Sequence, residues 1–235
     1  MTVTLTWIGH SSFMLTDGST TVLIDPWFTG NPVNSISADS VNADAILITH
    51  AHGDHVGDTL AIATRTGATV CTINELANYL TGKGMKNVVG GNHGGTLPFP
   101  GGTVKLTPAW HSSSYTDETG LVAPGVPAGM IVRYGGLTMY FAGDTALFGD
   151  MQLIGEEGLD LAVIPIGDKF TMGPKDGVRA ARFLNARVVI PCHYNTFPAV
   201  RQDGAAFKAE VEAATSSRVI ILDPGGSTEL GQAPA

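Results

Sequence analysis

The chain has 235 residues, a net charge of −8 with histidines neutral, and only 14% charged residues, against about 25% in an average domain. At 43% hydrophobic it is not disordered, and its acidic balance excludes a general nucleic-acid binder. No apolar run approaches the ~20 residues that span a bilayer, and two cysteines, Cys71 and Cys192, make no disulfide framework.

The elements follow in chain order. Residues 12–15 and 21–24 flank Asp17-Gly18, which predicts a β-hairpin. Residues 44–49 read as a buried strand, and residues 60–66 as a short helix closed by Gly67. Residues 69–73 form a strand, and Asn74 is expected to cap a helix over 75–81. A strand over 103–109 precedes a second hairpin, 130–134 and 137–142, around Gly135-Gly136. Residues 161–166 are a buried strand, 174–185 a helix with Pro174 in its first turn, and 188–192 a strand. A helix over 205–215, capped by Asp203, leads to a last strand at 219–222, and the tail after Ser227 reads as frayed.

Hairpins mixed with crossovers argue for α/β or α+β architecture with mixed sheets. Length fits one domain over 1–235. Residues 13–25 and 130–144 echo each other as strand, glycine turn, strand, aspartate, which suggests two halves around a central site. Residues 28–42 and 112–127 lack patterning and are expected to be functional loops. Residues 1–5 carry no basic segment of a secretory leader, so a cytoplasmic location is expected. The low charge favours a homo-oligomer.

Thr49-His50-Ala51-His52-Gly53-Asp54-His55 packs three histidines and a carboxylate into six positions at a strand end. Imidazole and carboxylate suit borderline divalent metals such as zinc. Gly53 permits the tight backbone that would splay these side chains toward two points. His111, Asp144 and His193 each follow a predicted strand at its C-terminal end, where α/β folds collect functional groups. One ion would then take His50, His52, His111 and Asp144. The other would take Asp54, His55, His193 and the shared Asp144, whose two oxygens can bridge ions ~3.5–4 Å apart.

These motifs resemble the metal signature of the metallo-β-lactamase superfamily. Asp25 matches its first motif, and His111, Gly143-Asp144 and His193 match the later ones in order. The segments Gly9-His10-Ser11, Ala142-Gly143-Asp144-Thr145 and Pro191-Cys192-His193-Tyr194-Asn195-Thr196-Phe197 resemble a branch of small metal-dependent hydrolases. Ascorbate-phosphate lactonases are relatives of that branch. The resemblance implies a four-layer αβ/βα sandwich, with two mixed β-sheets face to face, helices on the outer faces and metals at one edge. It also implies two divalent ions, zinc first, with manganese, iron or nickel suited to the same donors.

The expected activity is hydrolysis of a small ester, lactone or phosphoester, with Asp54 taking the proton of the attacking water. The alternative is a diiron oxygen- or sulfur-handling oxidoreductase on the same fold. Asp25 is expected to orient a ligand histidine. His10 either reaches the metal edge as a substrate hydrogen-bonder or packs as a core histidine. Tyr194 and Asn195 are candidate oxyanion donors or edge-packing residues. Lys169 and Thr171 are candidate contacts to an anionic substrate, and Asp168 could orient a ligand. Trp27, Phe28, Phe170 and Phe197 could line an apolar wall. His93 reads as a turn residue, and Cys71 and Cys192 as core. The expected partner is a small molecule, neutral or anionic, with no nucleic acid and no membrane.

Overall fold

Short apolar runs between turn residues become strands of two sheets in the computed structural model, which describes residues 2–231. In the first half, β1 (Thr2–Gly9), β2 (Ser12–Thr16) and β3 (Thr21–Ile24) form an antiparallel meander. Then β4 (Ala45–Leu47), β5 (Thr69–Ile73) and β6 (Val88–Gly91) add in parallel. The crossovers carry α1 (Gly53–Val56), α2 (Thr59–Thr66) and α3 (Asn74–Gly82).

In the second half, β7 (Thr96–Phe99) and β8 (Gly102–Pro108) pair antiparallel, and a small hairpin follows, β9 (Tyr115–Asp117) and β10 (Gly120–Val122). The hairpin of β11 (Ala128–Tyr134) and β12 (Leu137–Phe141) leads through α4 (Met151–Gly155) to β13 (Leu161–Pro165). Then α5 (Pro174–Leu184), β14 (Val188–Cys192), α6 (Gly204–Ala214) and β15 (Arg218–Val219) complete the parallel part. The last described strand is β16 (Ser227–Gly231).

The sheets run β16-β1-β2-β3-β4-β5-β6 and β7-β8-β11-β12-β13-β14-β15. Each has three antiparallel pairings followed by three parallel ones, in the same order. The hairpin echo in the sequence is therefore repeated as sheet topology. The strand that starts the second sheet precedes its neighbour in the chain, whereas the first sheet draws its own from residues 227–231. That strand corrects the reading of a frayed tail. Residues 232–235, the rest of that tail, lie outside the described residues.

The strands β13 and β14 are buried at every position, as parallel strands covered on both faces must be. Phe13 of one sheet meets Phe141 of the other edge-to-face at 5.7 Å, deep in the shared core. Both α2 and α5 end on a left-handed residue, Gly67 and Asn185, and Asp203 accepts from the Ala205 and Ala206 N–H groups at the start of α6. Asn74 does not cap α3: it lies inside the helix, the N-cap is Ile73, and no side-chain cap bond forms. The strand expected at 219–222 is shorter, because only Arg218 and Val219 find a neighbour. Of the two unpatterned stretches, 112–127 contains the β9–β10 hairpin and 28–42 a single 3₁₀ turn at Ala38–Ser40. No helix of the described residues is long and apolar enough to cross a membrane.

Candidate metal centre

The ends of β4, β8, β12 and β14 deliver their following residues to one edge, where the sheets meet. His50 comes three residues after β4, and α1 begins at Gly53, so His52, Asp54 and His55 fan out over one short turn. His111 follows β8, Asp144 follows β12, and His193 follows β14 directly. Gly143 turns the chain with φ 61°, and a Cβ there would meet Thr49 Cβ at 2.9 Å. The two segments that bear His50 and Asp144 are thus in contact. A Cβ on Gly167 would overlap the His193 carbonyl, which is the close approach that seats His193.

The donor atoms of His50, His52 and His111 lie within 4.8 Å of one another. Asp144 sits between this group and the next. Its Oδ2 is 3.5 Å from His111 Nε2 and 3.0 Å from His193 Nε2, and its Oδ1 is 3.4 Å from His55 Nε2. His55 Nε2 and Asp144 Oδ1 are buried without a hydrogen-bond partner among the described residues. Orphaned buried polar atoms are costly. Two such atoms facing each other at ligand spacing fit a bound cation, and the nitrogen and oxygen donors suit a borderline dication.

Asp25 organises this edge from below. It is buried, and its Oδ1 accepts the Thr49 N–H at 2.8 Å. Its Oδ2 accepts from Thr49 Oγ1 and from His55 Nδ1, both at 2.7 Å. The Nδ1 bond leaves His55 Nε2 aimed at Asp144. Thr49 Oγ1 also lies 3.0 Å from His50 Nδ1, whose N–H it can accept, so that His50 Nε2 points into the cluster. Ser113 Oγ accepts the Ala51 N–H at 3.1 Å and ties the 112–127 segment to the same turn. Asp58 accepts the Phe28 and Thr29 N–H groups at 2.8 Å each and fixes the start of the 28–42 segment.

The electrostatics follow from burial and crowding. Burial, then the neighbouring His55, holds His50 well below the usual imidazole range. Burial likewise lowers His52 and His111. For His55 burial acts downward, but the Asp144 and Asp25 carboxylates outweigh it and raise the imidazole well above its usual range. For Asp144 burial acts upward, and His55 and His193 outweigh it, so the carboxyl is held well below its usual range. Asp54 is lowered too: burial is outweighed by the hydrogen bond from His10 and the charge of His55. Positive charge is what this carboxylate-bearing cluster accepts.

Other candidate residues divide clearly. His10 reaches the cluster: it is fully buried, and its Nε2 is 3.1 Å from Asp54 Oδ2. Trp27 meets the His10 ring edge-on at 5.2 Å, and Phe197 lies 5.7 Å from it. Phe28 is core, and Phe170 is exposed under the Lys169 ammonium, 5.2 Å from the ring centroid. Asn195 follows Tyr194 on the segment after β14. It is exposed in a left-handed turn, and its Oδ1 accepts the Gln202 N–H. Tyr194 is buried against Trp7, with stacked rings 5.7 Å apart. Asp168 Oδ1 accepts the N–H of Lys169, and Thr171 Oγ1 donates to the Met172 carbonyl. His93 is exposed in a turn and bonds the Pro127 carbonyl. Cys71 and Cys192 are buried, and burial pushes the Cys71 thiol up to about 12.

Sequence reasoning missed Thr49, Asp58, Ser113 and Thr196. Asp58 alone carried a signal, as an acid just after the histidine cluster. Thr196 Oγ1 is 2.8 Å from His10 Nδ1.

The family model of the β-lactamase superfamily domain matches residues 20–194. A UPF0173 metal-dependent hydrolase of Thermus thermophilus is 53% identical over 205 residues, which are 87% of this chain and 89% of the relative. One of Pelotomaculum thermopropionicum is 48% identical over 228 residues, 96% of this chain and 99% of the relative. Among solved structures, Igni18, a metallo hydrolase from Ignicoccus hospitalis, is 39% identical with a TM-score of 0.90, covering 99% of this chain and 100% of that one. The chain belongs to the β-lactamase superfamily, and within it to the family of UPF0173 metal-dependent hydrolases.

Proposed function

We propose that this protein is a dinuclear metal-dependent hydrolase that cleaves a small ester, lactone or phosphoester. The observation that carries this is Asp144, one buried carboxylate in reach of imidazoles from both donor groups. His50, His52, His111 and Asp144 would hold one dication, and Asp54, His55, His193 and Asp144 would hold the other. Ions bound there would supply a water activated at neutral pH and polarisation of the substrate oxygen.

The chain's own residues do the rest. Asp25 fixes the ring of His55. Asp54 is one-third exposed, whereas the Asp25 and Asp144 side chains are almost fully buried. It is the carboxylate that meets solvent, and it takes the proton of the attacking water. His52, Asp54 and His111 form the open side, so substrate enters there. Lys169 is exposed on the loop after β13 and supplies a cation for an anionic substrate. The partner is a small molecule rather than a nucleic acid or a membrane surface, and the low surface charge favours a homo-oligomer.

The test is a panel of lactones, phosphodiesters and thioesters, assayed with protein loaded in turn with zinc, manganese, iron and nickel. Turnover of one class is expected, and Asp54→Ala should lower kcat by about 10²–10⁴, the usual worth of a positioned proton acceptor. Near-normal turnover in Asp54→Ala would refute its role. Iron-dependent oxygen consumption without hydrolysis would favour the oxidoreductase reading.

A further inference from the structure

We propose that His10 is a ligand of the second dication, giving that site three imidazoles rather than two. The inference rests on the dinuclear reading above. The donor atoms of His10, Asp54, His55 and His193 all lie within 4.8 Å of one another. Donors that share one ion at ~2.1 Å stand about 3–4 Å apart. His10 Nε2 and Asp54 Oδ2, at 3.1 Å, have that spacing.

The ring is held for this task from its far side. Nδ1 is 2.8 Å from Thr196 Oγ1. When Nδ1–H donates to that hydroxyl, the Nε2 lone pair faces the Asp54 carboxylate. A cation between them would then replace the hydrogen bond that His10 gives Asp54 in the metal-free site. The main chain is equally constrained. His10 and His193 both stand in the left-handed region, with φ 55° and 54°. They end strands of opposite sheets, and the His193 N–H donates to the His10 carbonyl at 2.9 Å. Trp7 Nε1–H donates to the same carbonyl at 2.9 Å. The His10 and His193 ring centroids are 3.9 Å apart. Such conformations persist in non-glycine residues only where the surroundings enforce them.

The ligand count then separates the two sites. The first has three imidazoles and Asp144. The second has three imidazoles, Asp54 and Asp144, one protein donor more than a tetrahedral zinc site accepts. An ion that tolerates five or six ligands, such as manganese, iron or nickel, suits the second site better.

The experiment loads the full chain with cobalt(II) and records paramagnetically shifted imidazole N–H resonances by proton NMR, with ion affinities from chelator competition. Wild-type protein should take two ions and show a shifted N–H from His10. His10→Gln should lose that resonance and bind the second ion more than about 100-fold more weakly, beyond the 10–100-fold cost of losing a hydrogen bond to a ligand. The first ion should be unaffected. Thr196→Val leaves His10 in place and should retain both ions while exposing that N–H to fast exchange with water. Matching resonances in wild type and His10→Gln would overturn the inference and make His10 a hydrogen-bond donor to Asp54. The same follows if Thr196→Val leaves every shifted N–H unchanged. Uptake of one cobalt by wild type would instead overturn the dinuclear reading on which the inference stands.

Discussion

Asp144→Ala is expected to abolish turnover and to weaken both metal sites together. Among the described residues, Asp144 is the one carboxylate in contact with imidazoles of both groups, at 3.0–3.5 Å from His55, His111 and His193. Its removal deletes one donor from each site and leaves three imidazoles around a void. A His50→Ala change, by contrast, removes a donor from the first site only. In Asp144→Ala we expect a fall in kcat/KM of about 10⁴ or more, since it weakens both ion sites and with them water activation and electrostatic stabilisation. Steady-state kinetics at saturating metal check this. A variant that kept two bound ions per chain and lost less than tenfold in kcat/KM would refute a bridging role.

Asp25→Ala should be the most destabilising single change at this edge. Asp25 is 1% exposed and accepts three hydrogen bonds, from Thr49 N, Thr49 Oγ1 and His55 Nδ1. Its loss strands a buried imidazole beside Asp144 and unties β3 from the turn that bears His50. Breaking a buried hydrogen-bonded pair from one side costs about 3–5 kcal/mol. Urea unfolding of the metal-free protein should therefore show a loss of that size, and affinity for the ion held by His55 should fall about 10–100-fold. Asp25→Asn keeps an acceptor for the Thr49 N–H and should lose less. An unfolding free energy within 1 kcal/mol of wild type in Asp25→Ala would contradict the account.

Most of the fold was legible because the chain writes its strands as short apolar runs between glycine, proline, asparagine and aspartate. The runs at Thr21–Ile24, Thr69–Ile73 and Val188–Cys192 appear in the structure with the bounds their composition suggests. The strand Ser227–Gly231 was not legible. It is a polar edge strand with one buried residue, Leu230, and only its pairing with β1, far away in sequence, makes it a strand. The glycine-rich strand Val88–Gly91 hides for a related reason: it has little side chain to show a pattern. Asn74 misled because a good capping residue beside a helix start need not occupy the cap.

The site divides in the same way. Residues 50–55 concentrate metal-binding chemistry in one turn, and no bland loop looks like it. His111, Asp144 and His193 become visible only by the rule that functional groups gather at C-terminal strand ends. The partners of His10 lie 44 and 186 residues away, at Asp54 and Thr196. Their meeting depends on two sheets closing on each other, which no local pattern records. Thr49 shows the same limit, because a threonine before a histidine carries no signal until Asp25 is found beneath it.

The most direct test of the central claim is the number of ions held per chain. Native mass spectrometry of the wild-type protein, loaded with a divalent metal and freed of excess, should show two bound ions for each polypeptide. A single ion per chain at saturation, or none, would contradict the dinuclear account.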